Sequence, residues 1–399
     1  MTEPGSRFFV VLLLLTIPAS QIAVDVYTPS MPSMVQALHT SENVIQNSMT
    51  VFLIASGISM FLWGIVSDTI GRRAVYLWGT IIFVVGTLMC IAAPDAPVFL
   101  LGRVVQGLGA GCIVCLPAMM ADVFSGKQLA HLSSYNSIVW SSVPIIAPFI
   151  GGILQQHFNW RANFAFILLY GVVTLLLIWR YLPETLPAPK RHPLHLKKIT
   201  QGLVIIGREP RFIGYTLIIF LSWSVMMLFS IITPFLFQEV LHLSPAYYGF
   251  LALLFGVGYM LGAAFNQRLL KRFRIETLIL AGIIGLCAGA LVVITTGYLG
   301  WVSTWWVMGP CIVTVFLTGM LYPNGWAMAV DSFPKHYVGI GSALLDIIVM
   351  AGVSMVTFIG SHLHIHSQTP MGWSFLAFGL LSALCFVFVR FQTHRRGNR

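Results

Sequence analysis

The sequence predicts an all-α integral membrane protein in which twelve transmembrane helices form two six-helix pseudo-repeats. Of its 399 residues, 57% are hydrophobic and 9% are charged, and the mean hydropathy is +0.87. Soluble domains carry about 25% charged residues, so this composition excludes a soluble globular protein. Two further observations lead to the fold class: a regular succession of apolar runs and a one-sided distribution of basic residues.

Twelve apolar runs, each long enough for a span of about 20 residues, follow one another between short polar breaks. They begin near Phe8, Ile45, Ala74, Pro97, Leu132, Ala162, Phe212, Tyr247, Thr277, Val302, Val338 and Met371. The first run passes through Pro18, Ala19 and Ser20, a small-residue pattern that is also typical of a signal peptide cleavage site. Because apolar character resumes through Val26, we interpret this run as the first span.

The basic residues lie almost entirely on one side of this topology. With Arg7 on the inner side, 20 of the 22 Lys and Arg residues fall on that side, Arg161 falls outside, and Arg103 lies within span four. The positive-inside rule then places both termini in the cytoplasm of a multi-pass inner-membrane protein. The net charge of +10 therefore reflects topology and does not predict a nucleic-acid partner.

The longest polar stretch divides the chain into two halves. The predicted parts are an N-terminal six-helix bundle over 1–182, a cytoplasmic linker over 183–211, and a C-terminal six-helix bundle with a short cytoplasmic tail over 212–399. Gly64 and Asp68 after span two recur as Gly262 and Asn266 after span eight. An offset of about half the chain indicates a duplicated six-helix unit.

The loop after span two has the pattern G-x-x-x-D-x-x-G-R-R, formed by Gly64, Asp68, Gly71, Arg72 and Arg73. This pattern resembles the loop signature of the major facilitator superfamily. The resemblance implies a gating role for these residues, in which the loop acid faces a positive helix end and holds the cytoplasmic side in one state. Topogenic charge alone explains the two arginines but not the Gly-Asp-Gly spacing.

Span four and the motifs of two other spans extend the resemblance. Arg103, Gln106, Gly107 and Gly109 are similar to the superfamily's fourth-helix motif. The motif Asp25-x-Tyr27-x-Pro29-x-x-Pro32, with Pro144, Pro148, Gly151 and Gly152 in span five, resembles the twelve-span drug:proton antiporter branch of the Bcr/CflA type. A proline frees a backbone carbonyl and bends the helix, and a glycine permits close contact, so the span-five residues are gating candidates. A generic kinked helix is the alternative, and Ala147 stands where glycine is common.

Three ionisable residues lie within predicted spans and are candidates for proton coupling, since such residues cost about 2.5 to 3.5 kcal/mol to insert. They are Asp25, Arg103 and Asp346. By helical rise Asp25 lies roughly 27 Å from Arg7, so a cap at the membrane interface is an alternative to a cavity role. For Asp346 the alternative is an interhelical hydrogen bond.

Aromatic, sulfur and amide side chains in these spans are candidates for substrate binding, because such surfaces suit amphipathic organic molecules. The candidates are Tyr27, Gln106, Trp223, Met227, Tyr322, Trp326 and Met350. Packing against lipid or other helices is the alternative for each, since the chain contains 17 Met and 11 Trp residues.

The function that the resemblance implies is efflux of small amphipathic compounds or drugs by proton antiport. We expect a monomer in the lipid bilayer that is not an enzyme and needs no cofactor. The alternatives are an importer or exporter of one metabolite, such as a siderophore or an amino acid, and a metal-responsive membrane enzyme or sensor. The last would use His362, His364 and His366, but without a further ligand these predict a solvated loop and no metal site.

Overall fold

The computed structural model describes residue 3 and residues 5–191, 196–334 and 338–397, and the regular elements in this part of the chain are helical. The α-helices are α1 (Arg7–Thr16), α2 (Pro18–Asp25), α3 (Met31–Ala37), α4 (Glu42–Ile70), α5 (Arg72–Ala92), α6 (Ala96–Ala110), α7 (Cys115–Val123), α8 (Gly126–His157), α9 (Trp160–Tyr181), α10 (Leu196–Gly207), α11 (Pro210–Phe235), α12 (Pro245–Leu269), α13 (Ile275–Tyr298), α14 (Thr304–Thr318), α15 (Leu321–Val330), α16 (Val338–Gly360) and α17 (Thr369–Gly397).

Twelve helical stretches among the described residues are long and apolar enough to cross a membrane. Four of them join several elements: span one (Arg7–Ala37) contains α1 to α3, span four (Ala96–Val123) contains α6 and α7, span seven (Pro210–Val240) contains α11 and a π-turn, and span ten (Thr304–Val330) contains α14 and α15. Every predicted starting point lies within or next to the corresponding span. The predicted fold class is confirmed.

Span one is interrupted at Pro18, which has no backbone N–H to continue the helix. Two tyrosine hydroxyls from other helices bind the carbonyl groups at the break. Tyr170 of α9 donates to the carbonyl oxygen of Leu15 at 2.6 Å, and Tyr76 of α5 donates to that of Thr16 at 3.4 Å. Because buried carbonyl groups need partners, these contacts let the span bend inside the membrane.

The chain forms two compact units, Met1–His195 and Leu196–Arg399. Within the stretch that the sequence analysis assigns to the linker, residues 192–195 lie outside the described residues, and the last part is helix α10. This helix packs against α11 and α16 and so belongs to the second unit. In the first unit, residues before the gap, notably Glu184 and Arg191, contact the loop after span two.

The second unit is built around α11, which is the most deeply buried of its spans and packs against α15, α16 and α17. Phe229 of α11 stacks on Phe255 of α12, with ring centroids 3.7 Å apart. The amides of Asn266 in α12 and Asn324 in α15 bind each other through two hydrogen bonds of 3.1 and 2.8 Å. Both side chains are buried, so this reciprocal pair satisfies polar groups that would otherwise weaken the core.

Arg161, the one basic residue predicted on the outer side, lies at the C-terminal end of α5. Its guanidinium donates to the carbonyl oxygens of Ile91 and Ala93, each at 3.0 Å, and lies 4.3 Å from the ring centre of Trp160. A cation at a helix C-terminus interacts favourably with the carbonyl groups that the helix leaves free. This local role explains why a positive charge is placed at this end of the spans.

Candidate functional site

Asp25 is the last residue of α2 and lies inside span one, which the structure extends well past it to Ala37. Its side chain is 2% exposed. Gln21, one turn earlier, donates from Nε2 to the Asp25 carboxylate at 3.0 Å, and Thr28 donates to the Asp25 backbone carbonyl at 2.9 Å. Both the cavity role and the alternative of a cap at the membrane interface stay predictions. The placement of Asp25 leaves a buried carboxyl group with one side-chain hydrogen bond.

Arg103 of α6 is fully buried and is held without a carboxylate partner among the described residues. Its guanidinium donates to the carbonyl oxygens of Ala23 at 3.0 Å and Ser48 at 3.3 Å. The same group lies 4.7 Å from the ring centre of Tyr27 and 4.3 Å from that of Phe52. Aromatic faces and carbonyl dipoles stabilise a cation in a site that excludes water. Arg103 therefore contacts the backbone of span one two residues before Asp25 rather than the acid itself.

Two predicted substrate residues, Tyr27 and Gln106, are enclosed in this cluster. Tyr27 lies between Arg103 and Phe164, and its hydroxyl bonds Ser48 Oγ at 3.0 Å. Gln106 donates to Thr87 Oγ1 at 2.8 Å and accepts from Arg103. Both side chains are fully buried and engaged within the first unit. In this conformation they position Arg103, and their substrate contacts stay a prediction.

The loop after span two places Arg72 among several oxygen acceptors. Its Nη1 lies 2.6 Å from Asp68 Oδ1 and 2.6 Å from Ser67 Oγ, and its Nε lies 3.3 Å from Asp122 Oδ2. Arg72 is 12% exposed at its side chain, whereas Asp68 is 59% exposed. Ion pairs that water reaches are worth about 0 to 1 kcal/mol, and water reaches this pair from the Asp68 side, so the contact contributes little to stability.

Glu184, which follows span six, binds the start of α5 and was not assigned a role from the sequence. Its carboxylate accepts from the backbone N–H groups of Arg72 at 3.0 Å and Arg73 at 3.3 Å, and Arg191 lies 3.7 Å away. A carboxylate at a helix N-terminus satisfies free N–H groups and complements the helix dipole. At the start of α5, the acid that meets the positive helix end is therefore Glu184.

Gly71 permits this contact. Its φ of 107° is a conformation that L side chains rarely adopt. A Cβ atom at this position would also overlap the carboxylate of Glu184 and crowd Arg191. A Cβ atom added at Gly64, in contrast, would make only ordinary van der Waals contact with Val114. The first glycine of the motif is therefore not required by packing here, and the second is.

In span five, α8 continues as one helix through both Pro144 and Pro148. Two buried glycines, Gly151 and Gly152, follow them. A Cβ atom at Gly151 would overlap the carbonyl oxygen of Val26, the residue after Asp25. Spans one and five are therefore in backbone contact beside the buried acid, which is the close approach that glycine allows.

The remaining candidates for substrate binding lie in the second unit and differ in how far their side chains are exposed. Met227 is buried, Trp223, Tyr322 and Met350 are half-buried, and Trp326 is 42% exposed. Tyr322 and Trp326 are one turn apart in α15, as are Asp346 and Met350 in α16, so each pair shares a helix face. The structure brings Trp223 and Tyr322 together, with ring centroids 5.8 Å apart.

One small cavity in the first unit lies next to the break in span one. Its walls include Ser20, Tyr76, Thr80 and Cys112, and its volume is about 20 Å³. A water molecule needs roughly 10 to 15 Å³ on this measure, so the cavity accommodates one water. It is too small to hold an organic solute.

The three histidines after span eleven are exposed in the described structure. His362 bonds through Nδ1 to the carbonyl oxygen of Phe358 at 2.9 Å and contacts Ser361 Oγ at 3.2 Å. The described residues contain no group of three or more His, Cys, Asp or Glu side chains that could hold a metal ion. Nothing in this geometry brings His362, His364 and His366 together as ligands.

We expect Asp68→Asn to slow transport by about tenfold or more, within the range of conformational coupling energies, while substrate affinity changes less than about twofold. The reason is that Asp68 lies in the last turn of α4 with an exposed side chain, away from Asp25, so its loss shifts the balance between conformations. Equilibrium binding and transport are measured on the same correctly inserted protein. Asp331→Asn, which removes an exposed acid after span ten, is the control. An equal loss of affinity and transport in Asp68→Asn would show that the gating assignment is wrong.

Comparison with known proteins supports the resemblance seen in the loop and in spans one, four and five. The chain is 28% identical to Multidrug resistance protein D of Escherichia coli (strain K12) over 379 residues, which covers 94% of each chain. It is 24% identical to a Bicyclomycin resistance protein homolog of Haemophilus influenzae over 98% of each chain. A Chloramphenicol resistance protein of Pseudomonas aeruginosa is 25% identical over 84% of this chain and 81% of that one. The predicted resemblance to the Bcr/CflA-like branch is confirmed.

Solved structures show the same fold. A D-xylose-proton symporter superposes with a TM-score of 0.77 at 17% identity, covering 96% of this chain and 97% of that one. A peptide transporter superposes with a TM-score of 0.77 at 15% identity, covering 97% and 96%. The twelve apolar helices and the bacterial relatives make this a multi-pass inner-membrane protein. The Major Facilitator Superfamily profile matches residues 13–357 and again 237–399, and the chain belongs to that superfamily.

Proposed function

We propose that this transporter exports small amphipathic organic compounds in exchange for protons, as a monomer with both termini in the cytoplasm. The observation that carries the proposal is the buried carboxyl group of Asp25 within span one. Relatives named for resistance to several drugs, to bicyclomycin and to chloramphenicol support the class of cargo.

The proposed mechanism uses one proton-binding group and one fixed positive charge. In the proposed cycle, Asp25 holds a proton in the closed conformation and releases it in a conformation that admits water or substrate. Arg103 keeps its charge throughout, since a guanidinium is not deprotonated in proteins. Because Arg103 binds the carbonyl oxygen of Ala23, a change at Asp25 is transmitted to span four through the backbone of span one.

Transport into proteoliposomes tests this proposal. With an acidic lumen, protons leave down their gradient, and an antiporter accumulates organic compounds that carry no titratable group. Protein-free liposomes give the passive background. A panel of such drugs and metabolites is compared at both gradient directions. Accumulation only with an alkaline lumen would indicate symport and favour import of a metabolite, and the antiport proposal would then fail.

The proposed orientation of the loops across the membrane leads to a separate prediction. A cysteine introduced by Ser367→Cys, in the loop after span eleven, is expected to react with a membrane-impermeant maleimide in intact cells because that loop faces outward. Ser125→Cys, in the loop after span four, is the matched control and should react only after permeabilisation. Labelling of Ser367→Cys that requires permeabilisation would reverse the proposed topology.

A further inference from the structure

Asp346 is an accessible carboxyl group within a membrane span. It lies in α16, away from both ends of span eleven, and its side chain is exposed. Among the described residues it forms no ion pair and accepts no hydrogen bond. A carboxylate that faces hydrocarbon is costly, so acids in spans face a protein interior or a water-filled cavity. An acid without a protein partner in such a place is available to a ligand.

An aromatic residue of a neighbouring helix lies near Asp346, since α15 packs against α16. Tyr322 of α15 lies within electrostatic range of both the Asp346 carboxyl group and Tyr259 of α12. Trp223 of α11 packs on Tyr322 with an angle of 50° between the ring planes. Because α11 packs against both α15 and α16, Asp346, Tyr322 and Trp223 come from three adjoining helices.

This combination of groups selects for a particular kind of ligand. A carboxylate attracts a positive charge, and the faces of tryptophan and tyrosine rings attract cations through their quadrupoles while also accepting apolar surface. Ca²⁺ and Mg²⁺ take about six or more oxygen ligands and Zn²⁺ about four nitrogen, sulfur or oxygen ligands, whereas the described residues contain no group of three His, Cys, Asp or Glu side chains that could hold a metal ion. The chemistry therefore fits a bulky cation whose charge is shielded by apolar groups.

We propose that Asp346, Tyr322 and Trp223 form a binding site for aromatic organic cations in the second unit. This inference rests on the proposed function and specifies it, because it names a charge class for part of the exported cargo. It also separates two acids by role. Asp25 exchanges the proton, and Asp346 recognises the charge of the cargo without taking part in proton exchange.

Three probes of similar size and different charge test this site: tetraphenylphosphonium, tetraphenylborate and neutral triphenylphosphine oxide. Binding to the full-length, detergent-purified protein is measured by equilibrium dialysis against empty micelles. We expect the phosphonium to bind at least about tenfold more tightly than the borate of the same shape, a preference of the size that charge complementarity gives. Asp346→Asn should remove most of that preference and leave binding of the neutral probe unchanged.

The charge-preserving variant Asp346→Glu should retain the preference for the phosphonium, which separates charge recognition from a general effect on folding. Failure of the wild-type protein to bind the phosphonium, or equal weakening of all three probes in Asp346→Asn, would overturn the site. If the neutral probe is exported by antiport while no charge preference exists, the cation site fails and the proposed function stands. If Asp346-dependent binding is found but no compound exchanges with protons, the cation site stands and the proposed function fails.

Discussion

Asp25→Asn is expected to abolish the proton release that accompanies substrate binding, from a readily measured signal to none. The asparagine side chain keeps an oxygen that can accept from Gln21 Nε2, so the local hydrogen bond persists. It has no ionisable proton, so the proposed exchange with substrate cannot occur. The measurement is the pH change of a weakly buffered solution when a neutral substrate is added to detergent-purified protein.

Asp346→Asn is the matched control for this experiment, because it makes the same chemical change at an acid that also lies away from the ends of a span. With a neutral substrate we expect its proton release to equal that of the wild-type protein. Unchanged release in Asp25→Asn together with loss in Asp346→Asn would transfer the coupling role to Asp346. Release that persists in the double variant would eliminate carboxylate coupling altogether.

Gly151→Ala is expected to cause the largest loss of stability among single-residue changes in span five. The added methyl group would overlap the carbonyl oxygen of Val26, and overpacking of this kind typically costs about 1 to 3 kcal/mol. A backbone atom cannot rotate away as a side chain can, so α8 and span one must separate. We therefore expect lower thermal stability in detergent and near-complete loss of transport.

Gly309→Ala is the control for this substitution. Gly309 lies within α14, and a Cβ atom there has no neighbouring atom within 4 Å. Alanine also favours a helix by roughly 1 kcal/mol over glycine, so this variant should be at least as stable as the wild type. Wild-type transport and stability in Gly151→Ala would contradict the close contact between spans one and five.

The fold could be predicted from the sequence because its determinants are local and repetitive. Runs of apolar residues define the spans, and the bias of lysine and arginine defines a topology with an even number of them. The helix α10 was not predicted, because Lys197 and Lys198 suggested a polar linker. Leu196, Ile199, Leu203 and Ile206 nevertheless follow helical spacing, and this signal was available in the sequence.

The contacts of the candidate site could be predicted only in part. The ion pair between Asp68 and Arg72 could be predicted, because the two residues are only four positions apart, at the end of α4 and the start of α5. The cap that Glu184 forms on α5 joins residues more than a hundred positions apart. No sequence rule says which helix end such an acid meets.

The surroundings of Arg103 could not be predicted from the sequence either. Its position within a span predicts a functional or paired cation, and the sequence does not name the partner. The structure surrounds it with Tyr27, Phe52 and two backbone carbonyl groups. Aromatic residues are so common in this chain that their sequence positions do not distinguish a cation-binding ring from ordinary packing.

The central claim is that cargo and protons move in opposite directions, and luminal pH measures this directly. Proteoliposomes that contain the wild-type protein and a pH-sensitive dye begin with equal pH on both sides, and a neutral substrate is then added outside. Antiport predicts that the lumen becomes alkaline as substrate enters and protons leave, with no change in liposomes that contain Asp25→Asn. Acidification of the lumen, or substrate entry without any change in pH, would contradict the account.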